Sequence, residues 1–282
     1  MRPQEELHAA VVEVQTALHD DGFYSGVIDG WWGKGSRSSL SAMREMAARS
    51  RSGIMTAPST QEASRIFTEA DYEAAAVRIR QASGTARPLN EIVAAIKAFK
   101  EVESGDGWFT DVARINALDG PGGWIDGTAL PKILFEAHKF GKHTGYQYSA
   151  GYPNLSSRSW NRSLYVGGPG EWERLWKAIK LDREAALKSA SVGTFQILGE
   201  NYAQCDFRSV EGFWDAHMYG GAAAHMAAFV AFIINGKLAA KLAKIDGWHV
   251  NSQAIAYAYN GPSYAENKYD HRIAKAYTKH LG

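Results

Sequence analysis

A single cysteine in 282 residues leaves no partner for an intramolecular disulfide, so the fold must be held by its core. That cysteine, Cys205, lies in ENYAQCDF with no base beside it, which is the setting of a packed, inert thiol. Cys and His at ligand spacing are too few for a structural zinc site, and no metal is expected. An excess of one charge is also missing. The net charge is +1 and the lysines and arginines form no run, so nothing calls for nucleic acid or an anionic membrane surface. The most apolar run, Ala222 to Ile234, is shorter than the ~20 residues that span a bilayer, and reads as a core helix. The first residues, MRPQEELHAAVVEV, carry acids and no apolar h-region, so no signal peptide is expected and synthesis in the cytoplasm is.

What remains is ordinary globular composition, 45% hydrophobic and 22% charged, in a chain long enough for one large or two modest domains. Val11, Val14, Ala17 and Leu18 have the spacing of one helix face. The segment DDGFYSGVIDGWWGKGS then crowds glycine and aspartate into a loop, and a second helix follows over about 36–48. The small, proline-broken stretch SGIMTAPST closes this part, giving an expected small N-terminal domain over 1–62.

From Thr68 helical patterning takes over. Thr68 followed by Asp71 has the form of a helix cap with its reciprocal acid. Helices are expected over 90–103, 171–189, 222–244, 253–259 and 270–280, with the run KILFEAHKF read as a strand. The fold class is therefore mainly α, with a larger helical domain over 68–282 and a minor β element.

Two glutamates stand close together in AFKEVESGDGWF, and helix geometry separates them. Ile92, Ile96 and Phe99 form a stripe at i, i+4 and i+7; Glu103 continues it at i+11, whereas Glu101 points to the opposite face. Glu101 is thus expected to be a solvated surface acid. Glu103 puts a carboxyl where an apolar residue belongs, in a last helical turn whose dipole disfavours negative charge. Both effects raise a carboxyl pKa, as proton donation to a glycosidic oxygen requires. The competing reading is a carboxyl frayed into water.

Three further segments have the makings of a site. SASVGTFQILGENY joins small residues, Ser191 among them, to Gln196, which both donates and accepts hydrogen bonds. AIAYAYNGPSY sets Tyr259 and Asn260 before a Gly-Pro turn. In KILFEAHKF, strand alternation puts Leu134, Glu136, His138 and Phe140 on one face. Glu136 is then a candidate second carboxylate. With His138 it supplies only two metal ligands and no third is evident. Taken singly, the first two segments are better read as packing and turn chemistry, and Glu136 with His138 also fits a structural ion pair.

In order, Glu103-Ser104-Gly105, Gly193-Thr194-Phe195-Gln196 and Ala258-Tyr259-Asn260-Gly261 give ES, GxxQ and AYNG. That order resembles the lysozyme-like superfamily, in particular soluble lytic transglycosylases and goose-type lysozymes. More closely, VESGDGWF, ILFEAHKF, SASVGTFQILGENY and YNGPSYAENKYD resemble the N-acetylmuramidase domain of modular phage endolysins. The N-terminal segment resembles the three-helix peptidoglycan-binding domain, through Gln15 and Leu18, Gly22-Phe23, and a loop from Asp29-Gly30 through Gly33 to Ser36 that carries Trp31 and Trp32. Gly105-Asp106-Gly107 departs from the transglycosylases, which place an aromatic soon after ES.

The resemblance implies hydrolysis of the β-1,4 bond between N-acetylmuramic acid and N-acetylglucosamine. Glu103 would be general acid and Glu136 the leading second carboxylate. Ser191, Gln196, Tyr259 and Asn260 would contact substrate, and Asp29, Trp31 and Trp32 would contact the wall. Bacterial peptidoglycan is the expected partner of a monomer that needs no cofactor and reaches the wall after membrane permeabilisation. The alternatives are a lytic transglycosylase giving anhydro products and a non-catalytic wall-binding or virion protein.

Overall fold

The computed structural model describes residues 11–16, 19, 67–105, 109–111 and 129–282. Residues 11–16 are helical, as their spacing predicts. Asp29, Trp31, Trp32 and the rest of the expected wall-binding loop lie outside the described residues. The described residues from 67 onward belong to the larger of two compact units, Ala63–Asn116 with Ala129–Gly282.

That unit is mainly helical. Helix α1 (Glu69–Ser83) opens on a capping box: Thr68 accepts from the Asp71 amide at 3.3 Å, and the Asp71 carboxylate takes the Thr68 amide at 2.7 Å. Gly84, left-handed at φ 66°, closes it. Helix α2 (Leu89–Ser104) follows the stripe read from its sequence, with Ile92, Ile96 and Phe99 fully buried. Burying each such side chain stabilises the fold by about 2 kcal/mol. Gly105, at φ 68°, turns the chain out of α2 in a conformation that side-chain-bearing residues rarely adopt.

Strands β1 (Phe109–Asp111) and β2 (Ala129–Pro131) form an antiparallel pair. Strand β3 (Ile133–Phe135) begins a separate three-stranded antiparallel sheet with β4 (Ala190–Val192) and β5 (Ile197–Leu198), in the order β3-β4-β5. Between β3 and β4 come α3 (Ala137–His143), α4 (Gly170–Ile179) and α5 (Arg183–Lys188). After β5 come α6 (Val210–Tyr219), α7 (Gly221–Asn235), α8 (Ala239–Leu242), α9 (His249–Asn260) and α10 (Tyr269–Leu281). The apolar run read as a core helix is α7, and Phe229 and Ile233 are fully buried. Among the described residues no helix is long and apolar enough to cross a membrane.

Three expectations need correction. KILFEAHKF is not one strand: β3 stops at Phe135 and α3 starts at Ala137, so Glu136 and His138 do not share a strand face. Ala137, Phe140 and Gly141 are buried at helical spacing, which the same run of residues also satisfies. The helical run 171–189 is two helices, broken where Asp182 caps α5 by accepting from the Ala185 amide at 2.9 Å. The run 222–244 likewise divides after Asn235 into α7 and α8. Helix α6 was not among the expected helices; its signal was Ser209, which caps it through the Gly212 amide at 3.1 Å.

Candidate active site

Helix α2 packs along α10, and its last turn carries Glu103 into contact with groups from two later helices. Tyr269, at the start of α10 and 5% exposed, donates its phenolic hydrogen to Glu103 Oε1. Asn260, the last residue of α9, also hydrogen-bonds the carboxyl, and Arg272 of α10 adds positive charge while donating to the Val102 carbonyl at 2.9 Å. Burial dominates: it drives the Glu103 pKa up to about 8 against the opposing pull of Asn260 and Arg272. Glu103 therefore holds a proton at neutral pH and sits among donors that can receive its negative charge once the proton has left.

Glu101, on the other face, is not simply solvated. It pairs with Lys279 at 2.9 Å and His280 at 2.8 Å, near the end of α10. The Lys279 hydrogen bond leads the effects that hold its carboxyl below the ordinary range. The two glutamates are thus opposed in protonation as well as direction.

The sheet is joined to this corner by three links. Lys132 donates from Nζ to the Ser104 carbonyl at 2.8 Å, placing a cation at the negative end of α2. Its own carbonyl accepts from the Gly193 amide at 2.8 Å and from Gln196 Nε2 at 3.0 Å. Tyr259, on α9, donates to the Phe195 carbonyl at 2.6 Å, and its ring meets Phe99 edge-on with centroids 4.9 Å apart. Tyr259 therefore ties α9 to the β4–β5 turn rather than hydrogen-bonding Glu103 directly.

Within that turn Gln196 adopts φ 48°, uncommon for a residue with a side chain. Its amide makes a second bond to the Gly193 carbonyl at 2.8 Å, and Ser191 Oγ donates to Gln196 Oε1 at 3.0 Å. Both amide hydrogens of Gln196 are thus spent on the Lys132 and Gly193 carbonyls. Gly193 has no room for a Cβ, which would collide with the His225 ring, and the Thr194 amide donates to His225 Nδ1 at 3.1 Å. His225 in turn bonds the His217 carbonyl at 2.9 Å through Nε2. This buried pair of imidazoles braces the turn from behind.

Glu136 lies elsewhere, just past the end of β3 at the start of α3. Four residues beyond Lys132, it is up to ~13 Å further along the extended chain. Its amide donates to the Ser189 carbonyl at 2.8 Å, its carboxyl accepts from Tyr165, and His138 Nδ1 is 3.2 Å away. The loop holding Tyr165 rests on Glu171, a fully buried carboxylate missed in the sequence. It accepts from the amides of Phe135, Val166 and Gly167 and pairs with Arg174 at 2.8 Å. Such a carboxylate is tolerable only because its acceptor sites are filled. Cys205 is buried, and burial reinforced by Asp206 pushes its thiol up to about 12, so it is no nucleophile.

The helical fold, with its minor sheet beside a part-buried carboxyl at a helix end, is that of a lysozyme-like domain, and comparison with known proteins agrees. A family model described as N-acetylmuramidase matches residues 92–281, and the chain belongs to that family. It is a muramidase, a lysozyme-type glycoside hydrolase acting on peptidoglycan. Among solved structures the chain is similar to the crystal structure of Burkholderia AP3 phage endolysin. The two are 27% identical, with 96% of this chain and 95% of that one covered, and the TM-score is 0.55. No curated protein matches the chain.

Proposed function

We propose that the chain is a phage endolysin that hydrolyses the β-1,4 bond between N-acetylmuramic acid and N-acetylglucosamine, with Glu103 as general acid. The observation that carries this reading is the Glu103 carboxyl: part-buried, raised to about 8 by desolvation and hydrogen-bonded by Tyr269 and Asn260. Glu103 passes its proton to the leaving glycosidic oxygen as the bond opens. The carboxylate so formed keeps its hydrogen bonds to Tyr269 and Asn260 and the attraction of Arg272, which offset its burial.

Asn260, exposed at the end of α9, meets the sugar as well as the acid. Tyr259 sets α9 against the turn, and Ser191 and Gln196 shape the turn and offer their remaining lone pairs to sugar hydroxyls. Glu136, oriented by Tyr165 and His138, is the proposed second carboxylate. Residues 1–62, with Asp29, Trp31 and Trp32, form the proposed wall-binding domain. That domain raises the local enzyme concentration at the wall by tethering.

Mass spectrometry of digested peptidoglycan tests the bond and the outcome together. Reducing muramic-acid ends are expected, and muramyl products lacking the mass of one water throughout would make the chain a lytic transglycosylase instead.

A further inference from the structure

Away from Glu103, the starts of α9 and α10 bring together three residues whose sequence positions hide their proximity. His249 is the first residue of α9; Asp270 and His271 are the second and third of α10. One ligand atom from each lies within 4.8 Å of the other two. His249 Nδ1 is 3.2 Å from Asp270 Oδ2, and Gln253 Nε2 approaches the same oxygen at 3.4 Å. The two imidazoles are stacked, with centroids 3.8 Å apart and planes 13° from parallel.

We propose that His249, Asp270 and His271 form a binding site for a divalent transition-metal ion, Zn2+ by the chemistry of its donors. Two imidazoles and one carboxylate form a ligand set that Zn2+ accepts, leaving a fourth position for water. The donor set also selects the class of cation: imidazole nitrogen suits Zn2+, whereas Mg2+ and Ca2+ require oxygen.

Burial is graded in the way an ion needs. Asp270 is 4% exposed and fixed at its base, the His249 side chain is 37% exposed, and His271 is exposed. The ion can enter from solvent onto a fixed carboxylate. Zinc–ligand bonds of about 2.0–2.2 Å put ligand atoms ~3.4 Å apart. The present spread of up to 4.8 Å therefore has to close by at most ~1.4 Å, which rotation of the part-exposed His249 and exposed His271 rings provides. Gln253 then plays the outer-shell part, hydrogen-bonding the ligating carboxylate. Because Asp270 directly follows Tyr269, a bound ion fixes the first turn of α10, which presents Tyr269 to Glu103.

The test is calorimetric titration of ZnCl2 into the full chain after chelator treatment, with MgCl2 as control and His271→Ala and His249→Gln as variants. Hydrogen exchange of the wild-type protein with and without Zn2+ localises the site without any substitution. A single zinc is expected to bind, at least about tenfold more weakly in each variant. Slower exchange is expected around His249 and Asp270–Arg272, and magnesium should have no effect. Zinc binding of wild-type strength in both variants, exchange protection confined to other segments, or no zinc binding at all would overturn the site.

Discussion

Tyr269 and Glu103 are 166 residues apart in sequence, yet the Tyr269 hydroxyl donates to the Glu103 carboxyl where α10 crosses the end of α2. The contact ties α10 to the end of α2, the helix whose buried face carries Ile92, Ile96 and Phe99. An acid in this position is protonated because it is buried, and its hydrogen bonds are ready for the charge it acquires.

The pH profile follows from that environment. Activity needs protonated Glu103, so it should fall as pH rises through about 8. The Asn260 hydrogen bond favours the charged form, so Asn260→Ala should move the alkaline limb upward, by roughly half to one pH unit. Initial rates of wall clearing across pH check this; a limb that is unmoved or displaced downward contradicts it.

Stability should fall toward alkaline pH as activity does. The folded pKa of Glu103 lies above its unfolded value of 4.5, so the folded state binds the extra proton between these values and loses stability as pH rises from 4.5 through about 8. Glu103→Gln carries no such charge. Its melting temperature should equal or exceed the wild type's, with the gap widening by a few degrees toward about pH 9. Calorimetric scans at several pH values measure the gap, and a variant increasingly less stable at alkaline pH contradicts the buried-acid assignment.

How much of this was legible in the sequence depended on the range of the interaction. The α2 stripe is local, and it separated Glu103 from Glu101 through the positions of Ile92, Ile96 and Phe99. Tyr269, Lys132 and Arg272 were missed because each meets α2 across a long loop of chain, with 166, 28 and 170 residues between the bonded partners. Glu101 failed as a free surface acid for the same reason, since Lys279 and His280 come from the other end of the domain. Glu136 was misread locally: alternation in KILFEAHKF also fits the start of a short helix, and packing of Ala137 and Phe140 decided for the helix.

The imidazole pair behind the hairpin gives an acid-side prediction. Burial lowers the His217 pKa from 6.5 to about 4, and burial with the neighbouring His217 lowers that of His225. Their folded values lie below the unfolded ones, so the stability that depends on the neutral pair is complete above about 6.5 and is lost as pH falls toward about 4. The melting temperature should drop over this interval, less steeply in His217→Gln. An equally steep drop in that variant would assign the acid sensitivity to other groups.

The central claim is that Glu103, rather than its neighbour Glu101, supplies the proton. Release of soluble muropeptides from purified peptidoglycan by Glu103→Gln and Glu101→Gln, each checked for folding, tests it directly. Glu103→Gln should lose activity by about a hundredfold to ten-thousandfold, with Glu101→Gln within about twofold of wild type. Equal activity in the two variants, or a larger loss on replacing Glu101, would contradict the account.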